Sequence, residues 1–96
     1  MKARWSKTAL IELDNIFVYI SQHSPAAARS VLLRIEALVA HLEQFPARGH
    51  QADEPEVRAV SVVRYPYVIL YAIDPTADEV VILHIRHTAR KPPAEN

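Results

Sequence analysis

The chain contains no cysteine, which excludes disulfides, thiolate catalysis and thiolate metal ligation, and which fits a reducing compartment such as the cytoplasm. It has a single glycine, Gly49, so no glycine-rich loop is available to cradle a phosphate. Long apolar runs are missing as well. The longest, Val68 to Ile73, falls far short of the roughly 20 residues a membrane-spanning helix needs. Residues 1–20 carry acids and no long apolar segment, so no secretory signal is expected. Net charge is absent too, with eleven basic residues against eleven acidic ones, and that balance argues against a protein whose whole surface grips nucleic acid.

What is present is an ordinary globular composition, half of it apolar, in 96 residues without repeat or linker. We expect one domain spanning residues 1–96, with a tail from about residue 87. Charge is unevenly distributed along it. Lys2, Arg4 and Lys7 precede the first acid, Glu12; Asp53, Glu54 and Glu56 cluster in the middle; Arg86, Arg90 and Lys91 crowd the C-terminal end.

Proline and serine punctuate the chain into elements. Residues 2–5 read as a short opening strand. Ser6 follows as an N-cap, since its hydroxyl can accept a free first-turn N–H. Leu10, Leu13, Phe17 and Ile20 then recur at helical spacing to about Gln22, predicting one apolar stripe. Ser24-Pro25 restarts the helix, with proline at the first helical position, where its missing N–H has no consequence. Ala28, Val31/Leu32, Ile35, Leu38/Val39 and Leu42 form the second stripe, ended by Phe45-Pro46 and Gly49. The short link between the two helices predicts an antiparallel hairpin. The period then changes: Val57–Arg64, Tyr67–Asp74 and Glu79–Arg86 are rich in Val, Ile and Tyr, with Asp74–Asp78 a turn between the last two. The expectation is an α+β fold, β-α-α-β-β-β, with the helical hairpin on one face of a mostly antiparallel sheet of three to four strands.

The sheet raises a question of coverage. In Tyr67–Asp74 the set Tyr67, Ile69, Tyr71 and Ile73 faces one way and Val68, Leu70 and Ala72 the other. By the same alternation Val80 and Ile82 share a face with His84 and Arg86, opposite Val81, Leu83 and Ile85. A sheet with one wet face alternates apolar with polar residues, and these strands do not. A partner, a second copy or the C-terminal tail is needed on the side the helices leave open.

Candidate chemistry is sparse. His84 and His87, three apart on a strand, point to opposite faces and cannot grip one ion, so no metal and no other cofactor is expected. None of the five serines sits in an activated setting. Glu12, Asp14, Glu36 and Glu43 read as solvated helix faces. A basic set remains: Arg58, Arg64, Arg86, His87, Arg90 and Lys91, on or just beyond the main strands. Arginine forks and an imidazole could neutralise a phosphodiester and donate a proton, the repertoire of a metal-independent endoribonuclease. The same residues could equally be strand-end charges that pair with a partner's acids.

Read in order, the chain resembles the RelE/ParE superfamily of type II toxins. The likeness rests on Trp5 with Ala9, Tyr19-Ile20, Pro25-Ala26-Ala27-Ala28, Leu42 with Phe45-Pro46-Ala47-Arg48-Gly49, Val57-Arg58, Tyr65-Pro66-Tyr67-Val68-Ile69-Leu70-Tyr71, and Ile82-Leu83-His84-Ile85-Arg86-His87-Thr88-Ala89-Arg90-Lys91-Pro92. It implies a toxin that is silenced by an antitoxin. RelE-like members cut messenger RNA on the ribosome; ParE-like members keep the fold, lack most of the nuclease residues and poison DNA gyrase. The sequence is similar to the ParE branch, because Val68 stands where RelE-like toxins carry an arginine and Ala59 and Ser61 stand where they carry lysines. The resemblance therefore implies a cytoplasmic growth inhibitor of the plasmid-stabilising kind. It implies a hetero-oligomer with a ParD-like, ribbon–helix–helix antitoxin, and contact with DNA only through that complex. Arg58, Arg64, His84, Arg86, Arg90 and Lys91 are the candidate target- or antitoxin-binding residues. The alternatives are a RelE-like nuclease using Arg58, Arg86, His87 and Arg90, or a non-toxic member kept as a binding module.

Overall fold

In the computed structural model, which describes residues 1–89, the elements come in the order β1 (Lys2–Trp5), α1 (Lys7–Ser21), α2 (Pro25–Gln44), a 3₁₀ turn (Pro46–Arg48), β2 (His50–Gln51), β3 (Arg58–Ser61), β4 (Tyr67–Asp74) and β5 (Glu79–His87). Both helix starts are capped as their sequences dictate. Ser6 Oγ accepts the Ala9 amide at 3.0 Å, and Ser24 Oγ accepts that of Ala27 at 3.1 Å. The Asp74 carboxylate accepts the amides of Thr76 and Ala77, both at 3.1 Å, and Asp78 takes a positive φ to close the β4–β5 turn.

The strands form one sheet in the order β1-β5-β4-β3-β2, antiparallel except for β1 alongside β5. This is the expected α+β architecture with one strand more. The added strand, the two-residue β2, has no periodicity of its own to announce it. β3 is shorter than the strand expected over Val57–Arg64, because the chain turns at Val62–Pro66 with Arg64 at φ 75°. Among the described residues no helix is long and apolar enough to cross a membrane.

The core lies between the helices and one sheet face. Val31, Ile35, Leu38 and Leu42 of α2 meet Val60, Ile69, Tyr71, Val80, Ile82 and Ile85, all buried. α2 carries the face its spacing predicts. The stripe assigned to α1 needs correction. Its inward residues are Ala9, with Leu13, Ile16 and Ile20 half-buried against the core, while Leu10 and Phe17 are exposed. α1 has apolar residues on more than one side, so period alone does not choose its rotation. The Ser6 cap, held to β5 through Ser6 N–H on Ile82 O and Ser6 Oγ on Leu83 O, fixes it.

The face assignment of β5 also needs correction. Leu70 pairs with His84 but Tyr71 with Ile82, so Leu83 is an extra residue in the ladder, a β-bulge. The alternation inverts there. Ile85 joins Val80 and Ile82 on the helix-covered side, and His84 and Arg86 pass to the open side with Val68 and Leu70.

Two strand edges are blunted by glutamates from the helices. Glu43 of α2 accepts the Ala3 amide at 2.7 Å, and Glu12 of α1 accepts the Ile85 amide at 3.0 Å where β5 runs on past β1.

Candidate functional site

Beside the bulge at Leu83 lies a groove of about 470 Å³ on the open sheet face. Leu70 of β4 and Leu83, His84 and Arg86 of β5 form its floor. Ser6 and Thr8, at the start of α1, make one wall. Ala52, Asp53, Glu54 and Val57 of the β2–β3 loop make the other.

Each part is held in place. The Gln51 amide donates across the loop to Glu54 O at 3.0 Å and Val57 O at 3.1 Å, the Ala52 amide donates to Val57 O at 2.8 Å, and Glu56 adopts φ 63°. The loop is thus a stitched turn that presents Asp53 and Glu54. On the floor, His84 Nδ1 lies 3.3 Å from Glu12 Oε1, the same oxygen that accepts the Ile85 amide. That contact holds the imidazole by one nitrogen and leaves Nε2 for a ligand. Arg86 stands two residues along the same face, beside His84.

The groove therefore carries cationic or protonatable groups on its floor, carboxylates along one wall and leucines between them. Such a site suits a polypeptide segment with apolar and charged side chains of both signs. It suits a polyphosphate backbone poorly, because Asp53 and Glu54 repel each phosphate that approaches Arg86.

The structure divides the candidate residues chosen from the sequence. His84 and Arg86 reach the groove. Arg58 does not: it is opposite Tyr71 on the helix side of the sheet, and its guanidinium donates to Gly49 O through Nε at 3.0 Å and through Nη2 at 2.6 Å, and to Ala47 O at 3.0 Å. Arg64 is exposed on the β3–β4 turn and does not line the groove. His87 pairs with Tyr67 on the helix side, ring edge to ring face at 5.4 Å, and its Nδ1 accepts the Ala89 amide. Arg90 and Lys91 lie outside the described residues. Sequence reasoning missed Glu12, which it placed on a solvated helix face, and the use of Asp53 and Glu54 as a wall. Only the clustering of acids pointed to the second; nothing local marks the first, since Glu12 meets its partners 72 and 73 residues away.

A family model described as the ParE toxin of type II toxin–antitoxin systems, parDE, matches residues 3–92. Over 87 residues, 90% of this chain and 93% of the other, the sequence is 41% identical to the toxin RelE2 of Caulobacter vibrioides. The fold is similar to a chain of the chromosomal ParDE system from P. aeruginosa, with a TM-score of 0.79 and 26% identity over 91% of this chain and 95% of that one. It is also similar to a chain of the RelBE2 toxin–antitoxin complex from Mycobacterium tuberculosis, at a TM-score of 0.61 and 25% identity over 90% and 95% of the two chains.

Proposed function

Since the chain belongs to the ParE toxin family of type II toxin–antitoxin systems, we propose that it inhibits growth by binding DNA gyrase, performs no chemistry of its own, and is neutralised in the cytoplasm by a ParD-like antitoxin. The observation that carries this reading is the fate of the nuclease set. A metal-independent ribonuclease needs several cations converging on one phosphodiester, with an acid and a base beside them. Here Arg58 is committed to the carbonyls of Ala47 and Gly49, and His87 faces the helix side. Of that set Arg86 reaches the groove, beside His84, and faces two carboxylates across it, while Arg90 lies outside the described residues. This is a poor seat for RNA and a good one for a mixed-charge polypeptide.

A supercoiling assay with purified toxin tests the proposal. Gyrase activity falls with added toxin and linear DNA accumulates, and premixing with a cognate antitoxin abolishes the effect. Unaltered supercoiling at a large molar excess of toxin, together with codon-phased cuts in cellular messages after induction, would replace this reading with the RelE-like one. Unaltered growth on expression without antitoxin would leave only a binding module.

A further inference from the structure

Glu12 is committed twice through one oxygen: Oε1 accepts the Ile85 amide at 3.0 Å and lies 3.3 Å from His84 Nδ1. A carboxylate has no hydrogen to donate, so the second contact is a bond only when Nδ1 holds the proton. The neutral imidazole is thereby fixed in its Nδ1–H form, and Nε2 becomes a bare acceptor. The His84 side chain is 33% exposed and lines the groove, so that lone pair is within reach of a ligand.

The other polar side chains around the groove are lopsided in what they offer. The Ser6 hydroxyl is spent, accepting the Ala9 amide and donating to Leu83 O. Asp53 and Glu54 only accept, and neither carboxylate has a partner among the described residues. The Thr8 hydroxyl serves either way. Arg86 is the one lining side chain that only donates.

We propose that His84 Nε2, held as an acceptor by Glu12, takes an N–H of a cationic side chain, arginine or lysine, from a polypeptide seated in the groove. Glu12 is then a positioning residue that acts through His84. Two unpaired carboxylates against one guanidinium leave the groove short of positive charge, and a guest cation supplies it. A guest carboxylate finds a single charged donor in Arg86, and elsewhere meets the Nε2 lone pair and the acids of the wall. The segment therefore enters with its basic side chain over His84, while an acid it carries is directed to Arg86. Leu70 and Leu83 receive its apolar neighbours. The inference rests on the groove being the polypeptide seat of the proposed function, and it does not require that gyrase be the target.

The test uses the nitrogen-labelled full chain and three blocked tripeptides, acetyl-Leu-X-Leu-amide, with X arginine, citrulline or glutamate. Long-range proton–nitrogen spectra read the ring first: in neutral His84 the proton should sit on Nδ1. Glu12→Ala should let the Nε2–H form appear, and Glu12→Gln, whose amide oxygen can accept from both groups, should restore Nδ1–H. In a titration the arginine tripeptide should shift the amides of Leu83, His84 and the Ala52–Glu54 wall, and bind about tenfold or more tightly than the other two. His84→Phe, which keeps a ring and removes the acceptor, should weaken it about tenfold, while Glu12→Gln should bind it as the native chain does. An Nε2–H ring in the native chain overturns the proposal, as does undiminished binding by His84→Phe. Equal affinity for arginine and citrulline overturns it too, and tighter binding of glutamate would make the groove a seat for acids. The two readings fail separately. Loss of the peptide preference with gyrase still inhibited sinks this inference alone, and the preference without gyrase inhibition sinks only the target.

Discussion

The Gly49 amide donates to the Tyr71 hydroxyl at 2.8 Å, and that hydroxyl donates to Pro46 O at 2.6 Å. One phenol on the central strand thereby fastens the chain leaving α2 to the sheet. The approach is too close for any side chain at residue 49: a Cβ there would stand 2.6 Å from the Tyr71 oxygen and 2.8 Å from Ala59 O. Arg58 completes the clasp by donating to Gly49 O and Ala47 O. The only glycine of the chain is explained by this contact and not by its backbone angles, which any residue adopts.

Tyr71→Phe should therefore cost about 1–3 kcal/mol, since it leaves the buried Gly49 amide without an acceptor. Gly49→Ala should cost a similar amount through overpacking. Urea unfolding of the two single variants and the double variant checks this. Because both changes break one clasp, the double should lose clearly less than the sum of the singles. Additive losses would mean that the contact is not shared.

Glu12→Ala should cost about 1–2 kcal/mol by orphaning the Ile85 amide, whereas Glu12→Gln, which keeps an acceptor oxygen, should retain most of the stability. Amide hydrogen exchange at Ile85 reads the bond directly. Exchange should accelerate in Glu12→Ala and stay near native in Glu12→Gln. Equal protection in all three would show that the edge is closed by something else.

Arg86→Ala and Arg58→Ala should fail in opposite ways. Arg86 lines the groove and makes no hydrogen bond that holds the fold together among the described residues, so its removal should reduce toxicity with a stability change within about 0.5 kcal/mol. Arg58 bonds two carbonyls, so its removal should lower the unfolding free energy by about 1–3 kcal/mol, with toxicity falling only as the folded population falls. Growth arrest on induction, normalised to folded protein, separates the two. An Arg86→Ala toxin as potent as the native one removes Arg86 from the site.

These contrasts mark what the sequence can and cannot say. Caps, turns and the buried face of α2 were legible because each depends on residues within a few positions: Ser6 on Ala9, Ser24 on Ala27, Asp74 on Thr76 and Ala77. The rotation of α1 was not, because Leu10 and Phe17 repeat at the same period as Leu13 and Ile20, and a bond to β5 decides between them. Leu38→Ala should accordingly cost about 2–5 kcal/mol, and Leu10→Ala almost nothing. The bulge at Leu83 was equally silent. No glycine announces it, yet it moves His84 and Arg86 from the covered face to the open one and so makes the site.

The acidic wall yields the sharpest expectation about chemistry. If Asp53 and Glu54 keep phosphates off Arg86, then Asp53→Lys with Glu54→Lys should convert the groove into a cationic channel. Anisotropy with a labelled single-stranded RNA should show weak binding by the native chain and about tenfold or tighter binding by the variant at low salt. The variant's affinity should also fall more steeply as salt rises, because each added phosphate contact releases counterions. Both changes sit on an exposed loop whose stitching runs through Gln51 and backbone carbonyls, so the fold should survive them. Native toxin that binds RNA as tightly as the variant, with the same salt slope, would show that the carboxylates do not guard the groove and would return the nuclease reading to first place.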